Sequence, residues 1–543
     1  MKTNTLVLAA LVVPSIALSA PRHDVRVLLA VGDALEGGRT VVRIRELDLG
    51  PRDHWAALVD VRQPGDPARV AAVFDGEVVL ETGQLNSAGE TVAGIGSVRV
   101  TGEGSRLVQY FVESPASGFA VTGVLEVDGV ELLRAGKSLT GPGLGPNLRI
   151  AQLRNCESAG DFVVCNVVLD FGAEEHDAAL RFAVHGGRVL WPRLLWREGL
   201  APGGLSRPIQ DQLPSVAVAA DGSYVTTFRL HGPFDGATAG LTGNGAVFET
   251  GTSAPASAGT WRCASPRVAC APGGRFAVGG TLAASGVSQR GVVASSHDVL
   301  ALEGEPLAAS PAETLDAFST AEVAMSEAGE VAYSVPLVGG DDVVVLADGV
   351  VLRTGDPTVD GRAVAHIDRG RRNGLDVSAS GHLVAVIVHL EGAVEAIALV
   401  QREIGDTGSC GGIPNSSGKP SRLFAFGSHD VDFNELRLEA RGLPADVFGV
   451  VLASRVPGYV PNPGGSPGTL CLSGSIGKLG PALHSGDAGT FSRRVDLTRV
   501  PTQHATIAAA PGETWWFQVW HRDAGPGGVA TSTFGDPVAV ALR

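Results

Sequence analysis

The segment whose residue types best suit ligand binding is Trp191-Pro192-Arg193-Leu194-Leu195-Trp196-Arg197. Aromatic faces and guanidinium groups give a large contact area at a low entropic cost, so Trp191, Arg193, Trp196 and Arg197 could stack on a sugar or dock a protein. The alternative is an apolar plug that packs on its own sheet. The segment therefore indicates a noncatalytic binding surface and leaves open whether the ligand is a protein or a polysaccharide.

Patterns that would indicate catalysis or metal binding are weak. Gly136-Lys137-Ser138 lacks the glycine that a phosphate-binding loop needs five positions earlier, where Glu131 stands. The run Glu174-Glu175-His176-Asp177 cannot converge on a metal if it is a strand, because neighbouring strand residues point to opposite faces. No His-Glu-x-x-His pair or EF-hand spacing occurs in the sequence. We therefore expect no cofactor and no bound metal, and we favour a noncatalytic protein over an enzyme.

The N-terminus and the cysteines indicate export. Residues 1–20 begin with a basic Lys2 and continue as an apolar stretch, which is typical of a secretory signal peptide and shorter than the roughly 20 residues that cross a bilayer. Six cysteines in an oxidising compartment predict disulfides between neighbours in sequence. The predicted couples are Cys156 with Cys165, Cys263 with Cys270, and Cys410 with Cys471. We therefore expect a secreted or otherwise extracytoplasmic protein with no membrane span.

Composition limits the classes of partner. The 42 Lys and Arg residues against 57 Asp and Glu give a net charge of -15, which disfavours nonspecific contact with nucleic acid or anionic membrane. A length of 543 residues allows two to four domains, and 73 Gly and 32 Pro indicate a globular chain rich in turns. We expect a monomer that binds no nucleic acid.

Two turn signatures recur through the first three quarters of the chain. One is a hairpin turn before a β-branched strand, and its second residue stands at positions 76, 129, 186, 245, 298 and 349. The other, called the second turn below, precedes an alternating apolar strand and stands at positions 53, 104, 160, 222, 274, 329 and 381. A period of about 50 residues with about four short strands matches one blade of a β-propeller.

These repeats predict an all-β fold with a seven-bladed β-propeller over residues 21–403. Residues 25–33 match residues 350–356, whereas the last repeat stops before its own copy of that strand. We therefore predict that the ring is closed by N-terminal strands, with residues 25–30 paired to the strand around residues 397–402. Sharing one blade between the chain ends leaves no open strand edges.

The predicted axial channel supplies a second candidate site. If the strand after each second turn is innermost, the seventh residue after the turn faces the channel. Asp60 and Arg229 occupy that position in two repeats. We therefore include both among the candidate ligand-binding residues.

Residues 24–403 resemble a family of secreted bacterial tandem-repeat proteins, many of uncharacterised function, defined by an Asn-x-x-Gly-x-x-x-Phe strand motif. The glycine is matched by Gly222, Gly274, Gly329 and Gly381, each followed by an apolar strand. The Asn position holds other residues, such as Ser326 and Ser378. The resemblance implies propeller-like repeats and carries over no active site.

Residues 404–543 predict a β-sandwich, because short alternating strands are separated by Gly and Pro turns. The start, where four residues separate Cys410 from Asn415-Ser416, and the end, Trp515 to Asp523, resemble a C-terminal module on secreted proteins of environmental bacteria. The resemblance carries over no activity, and we expect this part to be an accessory or attachment module.

The sequence therefore predicts a secreted or cell-surface noncatalytic protein that binds a cell-envelope protein or polysaccharide. The alternative is an extracellular polymer-acting enzyme, a hydrolase or lyase, that uses the axial cleft. A structural part of a surface layer is a third hypothesis.

Overall fold

Each repeat folds as one antiparallel sheet. The computed structural model describes residues 23–543 except 52–53, 103, 114–120, 141–143, 145–147, 173, 186–187, 203, 232–236, 256–258, 263–266, 285–286, 320, 348, 370, 372, 408–409 and 411. The predicted signal peptide lies outside these residues. The described part is nearly all-β, and its helical elements are short 3-10 turns: Glu36–Gly38, Pro272–Gly274, Pro463–Gly465, Leu497–Arg499 and Pro526–Gly528. In this part of the chain, no helix has the length and apolarity to cross a bilayer.

The sheets of the repeat region follow one another along the chain. After β1 (His23–Ala30), sheet 1 holds β2 (Ala34–Leu35), β3 (Arg39–Leu49), β4 (Trp55–Arg62), β5 (Arg69–Phe74) and β6 (Glu77–Glu81). Sheet 2 holds β7 (Val92–Val100), β8 (Arg106–Glu113), β9 (Val121–Val127) and β10 (Val130–Arg134). Sheet 3 holds β11 (Arg149–Ala159), β12 (Phe162–Asp170), β13 (Glu175–His185) and β14 (Arg188–Arg197). Sheet 4 holds β15 (Ile209–Val218), β16 (Tyr224–Leu230), β17 (Thr238–Thr242) and β18 (Gly245–Glu249).

The later sheets have the same order of strands. Sheet 5 holds β19 (Thr260–Trp261), β20 (Arg267–Ala271), β21 (Arg275–Ala284), β22 (Val287–Ser295) and β23 (Val299–Leu302), and a small pair follows it, β24 (Pro306–Leu307) with β25 (Ser310–Thr314). Sheet 6 holds β26 (Val323–Met325), β27 (Val331–Pro336), β28 (Asp342–Leu346) and β29 (Gly349–Arg353). Sheet 7 holds β30 (Val364–Ile367), β31 (Leu375–Val377), β32 (Leu383–Leu390) and β33 (Val394–Ile404), together with β1.

The inner strands of these sheets surround an axis. Contacts run in chain order through β3, β7, β11, β15, β20, β26 and β31, and β31 returns to contact β3. Consecutive antiparallel sheets around a central channel are the arrangement of a β-propeller. The inner strand is the one before each second turn, so the prediction that the strand after the turn is innermost is wrong.

The N-terminal strand pairs with the end of the repeat region. In β1, Val25 lies opposite Val400 and Ala30 lies opposite Ala396 in β33. This pairing confirms the predicted contact between strands more than 360 positions apart. Leu29 packs in an apolar cluster with residues of sheets 1 and 7, including Ile44 and Ile397. The two ends of the repeat region are therefore joined by a strand ladder and by a core.

The core of the repeat region is divided among the boundaries between neighbouring sheets. The cluster between sheets 1 and 2 contains Phe74 and Tyr110, and the cluster between sheets 5 and 6 contains Leu307 and Tyr333. Central strands are apolar on both faces because each face meets a neighbouring sheet, as in β28, where all five residues are buried. Burial on both faces accounts for the short apolar runs that the repeat pattern shows.

The C-terminal part contains an extension of sheet 7, a separate larger sheet and two small strand pairs. The remaining strands are β34 (Asp406–Thr407), β35 (Arg422–Phe426), β36 (Arg437–Arg441), β37 (Phe448–Ser454), β38 (Val456–Pro461), β39 (Thr469–Ser473), β40 (Gly477–Lys478), β41 (Leu483–His484), β42 (Phe491–Arg494), β43 (Val500–Pro501), β44 (Thr506–Ile507), β45 (Thr514–Ala524), β46 (Ala530–Phe534) and β47 (Val538–Ala541). The sheet of β35, β36 and β42 and the sheet around β37, β45 and β47 share one apolar cluster, which includes Leu438, Trp515 and Phe517.

The two parts of the chain are joined by a continuous strand. The predicted boundary at residues 403 and 404 falls inside β33, whose Glu403 and Ile404 pair with Phe426 and Ala425 of β35. Arg441 of β36 also forms an ion pair with Asp24 of β1. The C-terminal part is therefore attached to the same sheet that closes the repeat region.

Candidate functional site

A cavity of about 450 Å³ lies on the axis, enclosed by the ends of the inner strands. The inner strand of each sheet contributes residues to its wall. Around the axis these include Asp48, Arg99, Glu157, Ala217, Ala269, Ala324 and Asp376. The cavity therefore has a charged half, from sheets 7, 1, 2 and 3, and an alanine half, from sheets 4, 5 and 6.

Arg99 is the centre of the charged half. Its side chain is only 1% exposed, and its guanidinium pairs with both carboxylate oxygens of Glu157, with Nη2 to Oε1 at 2.7 Å. Nη1 lies 3.4 Å from Oε1 of Glu46, and Nε lies 3.7 Å from Oδ1 of Asp48. Burial opposes the charge on Arg99, but the carboxylates of Glu157 and Glu46 outweigh it and raise the pKa of the guanidinium. Arg99 therefore stays charged and ties three sheets together at the axis.

The two aspartates of this layer are held by backbone amides. Asp376 accepts hydrogen bonds from the amides of Leu49 at 2.6 Å and Val377 at 2.8 Å, one on each oxygen. Asp48 accepts the amide of Val100 at 2.7 Å. Burial raises the pKa of Asp376 to about 6, and burial with the nearby charge of Asp376 raises the pKa of Asp48 well above its usual value. A proton shared in this layer would offset its excess of carboxylates over arginine.

Asn373 completes the layer from the loop before β31. Its side-chain amide donates to Oε2 of Glu46 at 3.2 Å, and its carbonyl accepts the amide of Leu47 at 3.0 Å. Its φ of +54° is in the left-handed region, which asparagine tolerates better than most residues. These bonds connect sheet 7 to sheet 1 at the floor of the cavity.

The mouth of the cavity is bordered by both parts of the chain. Ala220 is exposed there, and its amide donates to Oε1 of Glu327 at 3.0 Å. Burial raises the pKa of Glu327, and its Oε2 has no hydrogen-bond partner among the described residues. Phe433 and Glu435 reach the same cavity from the loop before β36. A ligand that enters would therefore meet the C-terminal part as well as the propeller.

A serine, a histidine and a glutamate meet beside this mouth, which are the residue types of a hydrolytic triad. Ser380 Oγ lies 2.5 Å from Nδ1 of His382 and donates to Oε2 of Glu435 at 2.5 Å. Glu435 also approaches Nδ1 of His382, at 3.3 Å. A triad needs the serine and the carboxylate on opposite ring nitrogens. This cluster therefore acts as a contact between the two parts of the chain.

A formal nucleophile-elbow spacing, Gly464-Gly465-Ser466-Pro467-Gly468, escaped the motif analysis. It lies at a 3-10 turn, and the Ser466 hydroxyl donates to the carbonyl of Ser532. The elbow of a hydrolase requires a strand, a sharp turn and a helix, with the serine exposed. Ser466 is buried, so this spacing is structural.

Two candidate residues lie away from the axis in the structure. Asp60 lies on β4 and pairs with Arg45, with Oδ1 2.9 Å from Nε, and Arg229 lies on β16 and pairs with Asp211 at 2.7 Å. Each of these strands is the second from the axis, after the inner strand of its sheet. The prediction that the two side chains face the channel is therefore wrong. The small residues after the second turn suit packing between sheets, which the sequence pattern does not distinguish from a position on the axis.

The Trp191 segment divides into exposed and buried residues. Trp196 is 2% exposed, donates from Nε1 to Oγ1 of Thr226 at 2.9 Å and packs edge-on against Phe228, which corrects its assignment to a ligand surface. Arg197 stacks over Phe171 at 4.8 Å, whereas Arg193 and Trp191 are exposed. The apolar plug is therefore the correct interpretation for Trp196, whereas Trp191 remains exposed on the surface.

Two of the three predicted disulfides are present, Cys156 with Cys165 and Cys410 with Cys471. Cys270 has a free thiol in the described part of the chain, and its predicted partner Cys263 lies outside the described residues. Cys270 is buried in the core between sheets 4 and 5, and burial raises its pKa to about 12.

The side chains of the acidic run at Glu174 to Asp177 pair with different neighbours. His176 lies 3.3 Å from Glu174 and 3.8 Å from Glu198, while Asp177 turns to Arg154 instead. Over residues 23–543, outside the gaps given above, no group of three or more His, Cys, Asp or Glu side chains is placed to hold a metal ion.

The charged layer of the cavity was missed by sequence analysis. Asp48, Arg99 and Asp376 each stand five positions before a second turn, at 53, 104 and 381. Aligning the repeats on the strand before the turn, rather than after it, would have placed these charges together.

No family model and no curated protein matches the chain. Among solved structures, it is similar to hydrazine synthase of Kuenenia stuttgartiensis, with 10% identity, a TM-score of 0.34, and coverage of 65% of this chain and 96% of that one. It is also similar to Sqt1 from Chaetomium thermophilum, with 12% identity, a TM-score of 0.31, and coverage of 68% and 99%. The α-L-arabinofuranosidase Arb93A from Fusarium graminearum gives 8% identity, a TM-score of 0.29, and coverage of 70% and 98%. At these values the similarities carry no inference about function.

Proposed function

We propose that this chain is a secreted noncatalytic binding protein whose ligand enters the axial cavity. The cavity carries the proposal because it combines a buried charged layer with an apolar wall. Its volume of about 450 Å³ suits a small molecule or one unit of a polymer. The excess of carboxylates over Arg99 favours a ligand rich in hydrogen-bond donors. A hydroxyl-bearing or amino-bearing unit of an envelope polysaccharide, or a protein side chain, meets that requirement.

We propose a seven-bladed propeller and a C-terminal β-sandwich as the framework of this site. The contacts of the seven inner strands and the pairing of β1 with β33 support the first. The apolar cluster shared by the two C-terminal sheets supports the second. Export is supported by the sequence of residues 1–20 and by the two disulfides.

A second candidate function is an extracellular hydrolase or lyase, favoured by the raised pKa values of Asp48 and Asp376. Glycosidases use a carboxylic acid whose pKa is raised as a proton donor. Against this role, both oxygens of Asp376 already accept backbone amides, so the acid is poorly placed to give a proton to a ligand. Binding therefore accounts for the geometry better than catalysis does.

Blocking the mouth tests the proposal. Ala220→Trp places a large side chain at the exposed edge of the cavity, and Ala88→Trp, at an exposed turn in the first repeat, is the matched control. Envelope fractions and glycan arrays identify a ligand, and titration calorimetry then compares the variants. We expect the control to bind like wild type and Ala220→Trp to bind at least tenfold more weakly. Equal binding by Ala220→Trp would exclude the cavity as the site.

Turnover separates the two functions. The same ligands are incubated with wild type and with Asp376→Asn, and products are measured by mass spectrometry. The binding proposal predicts no product with either protein. Product formation that Asp376→Asn abolishes, with binding retained, would establish the enzyme instead.

A further inference from the structure

Trp191 is the only tryptophan of the seven whose side chain is exposed, at 71%. Its indole presents a large, rigid apolar face and an N–H donor to the solvent, which are the features by which tryptophan contacts ligands. Trp196, five residues further along the same strand, is buried against the next sheet. The exposure of Trp191 is therefore local and does not result from a loosely packed segment.

The backbone at Trp191 is held in a rare conformation. Its φ is +50°, an outlier for a bulky residue, and the following Pro192 further disfavours this conformation. The pairing of β14 with β13 shifts here, from Arg181 opposite Arg193 to Ala183 opposite Leu190. Trp191 and Pro192 thus form a β-bulge, and bulges re-aim side chains next to functional sites. Local strain that points a side chain outward is an observed outlier from which a function can be inferred.

Protection of the sheet edge does not explain this arrangement. A proline, a charge or a bulge prevents an exposed strand edge from pairing with another chain. In β14, Pro192 and the exposed Arg188 and Arg193 already provide this protection. None of these devices needs an exposed indole. A smaller or more polar residue at position 191 would protect the edge with less strain.

A polar groove lies directly beside the bulge. Its volume is about 220 Å³, and Pro192 and Val189 of β14 line it together with residues of β10 and the loop that follows. Arg134 in this groove is fixed by Glu90 and Glu131, each at 2.7 Å. Lys137, which also contacts Glu131, is 66% exposed. The groove therefore places hydrogen-bond donors and acceptors, fixed by ion pairs, in the same region as the exposed Trp191.

We propose that Trp191 and this groove form a polysaccharide-binding surface, on which the face of a pyranose ring stacks against the indole. The hydroxyls of the adjoining sugar hydrogen-bond to Arg134, Lys137 and Ser138 in the groove. Protein hot spots built on tryptophan are surrounded by a rim that excludes water, whereas Arg134, Lys137, Ser138 and Thr140 place polar groups in this groove beside its apolar residues. The polar lining therefore favours a sugar chain over a protein as the occupant.

This inference deepens the proposed binding function but uses a surface separate from the axial cavity. Trp191 lies on the outer strand of sheet 3, and the cavity is lined by the inner strands. If Ala220→Trp leaves polysaccharide binding intact and Trp191→Ala removes it, the outer surface is the site and the cavity is not. The reverse result assigns the ligand to the cavity alone.

The test is sedimentation of the mature protein with insoluble cellulose and chitin, and affinity electrophoresis in alginate, which separate neutral from uronate chains. The variants are Trp191→Ala, Trp191→Phe and, as a matched control, Tyr459→Ala, whose side chain is equally exposed at 71% in the C-terminal part. We expect binding of at least one polymer, weakened at least tenfold in Trp191→Ala and less than threefold in Trp191→Phe and Tyr459→Ala.

Trp191→Gly separates binding from folding. Glycine adopts a positive φ without strain, so we expect the melting temperature to stay the same or rise while binding falls as in Trp191→Ala. A fall in the melting temperature would show that Trp191 has a structural role. The absence of binding to all three polymers, or capture of an envelope protein through Trp191, would also overturn the polysaccharide assignment.

Discussion

Leu29→Ala tests whether β1 closes the propeller in solution. Leu29 is 3% exposed and lies in the cluster that contains Ile44 of sheet 1 and Ile387 and Ile397 of sheet 7. Truncating it removes apolar contact with the first and last sheets at the same time. Because the rest of the cluster belongs to paired strands, the site cannot readily collapse around the smaller side chain.

The expected loss in the free energy of unfolding is about 3 kcal/mol, within the range found for buried leucines. A domain is typically stable by about 5–15 kcal/mol, so this loss would be plain in the unfolding curve. Leu28, the bulged residue next to it, is half-buried, so we expect Leu28→Ala to cost about 1 kcal/mol.

Urea unfolding of the mature protein, followed by circular dichroism and tryptophan fluorescence, gives the measurement. Both variants replace a leucine of β1 by alanine. The difference between their free energies of unfolding therefore reports the burial of Leu29 between sheets 1 and 7. If Leu29→Ala costs less than about 1 kcal/mol, or no more than Leu28→Ala, then β1 does not hold the ring together.

Three further predictions concern ionisation and sulfur chemistry. The pKa of Asp376 is raised to about 6, so the protonated side chain contributes stability that is complete below the unfolded pKa and is lost as the pH rises through 6. The melting temperature of Asp376→Asn relative to that of wild type should therefore be higher at pH 7.5 than at pH 4.5. A difference that does not change with pH would contradict the raised pKa. Replacing Cys410 and Cys471 by serine opens a loop of 61 residues and should cost about 4 kcal/mol in urea unfolding, more than the loss of the Cys156 bond, whose loop is 9 residues. Cys270 should resist iodoacetamide at pH 8 until the protein unfolds, and peptide mass spectrometry that finds it labelled in the native state, or bonded to another cysteine, would refute its burial as a thiol.

The repeat period was visible in the sequence because turns need particular residues. Asp75 and Gly76 both have positive φ, at 49° and 85°, as a two-residue hairpin requires, and Asp128 and Gly129 repeat the pattern. Aspartate and glycine tolerate this conformation better than other residues, so the spacing of hairpins can be read from residue type. The pairing of β1 with β33 followed from the same spacing, because a missing strand at one end matched an extra strand at the other.

The position of each strand within its sheet was not visible in the same way. The strands on both sides of a second turn are apolar and contain small residues, such as Ala56 and Ala57 in β4. Small residues suit the crowded axis and also suit the close packing of neighbouring sheets. Residue type therefore did not decide which strand is innermost, and Asp60 was assigned to the axis on the wrong strand.

The final tryptophans illustrate how a strand face is decided by what covers it. Alternation along the strand predicts that Trp516 and Trp520 share one face, in the core of the C-terminal part, and that Trp515 lies on the opposite face. In the structure Trp515 is fully buried in the main cluster, and Trp516 and Trp520 lie under the hairpin of β38 and β39. Both faces of β45 are covered, so alternation of apolar and polar residues could not separate them.

The axial cavity arises from a difference between equivalent positions. Seven similar inner strands would fill the axis with similar side chains, and alanine at Ala217, Ala269 and Ala324 leaves space on one side only. On the other side, Asp48 and Asp376 are kept near Arg99 by amide hydrogen bonds from neighbouring strands. Space in one half without charge in the other would give an apolar void, and charge without space would give a closed ion cluster. Their combination at one level of the ring is what makes this cavity suited to a ligand.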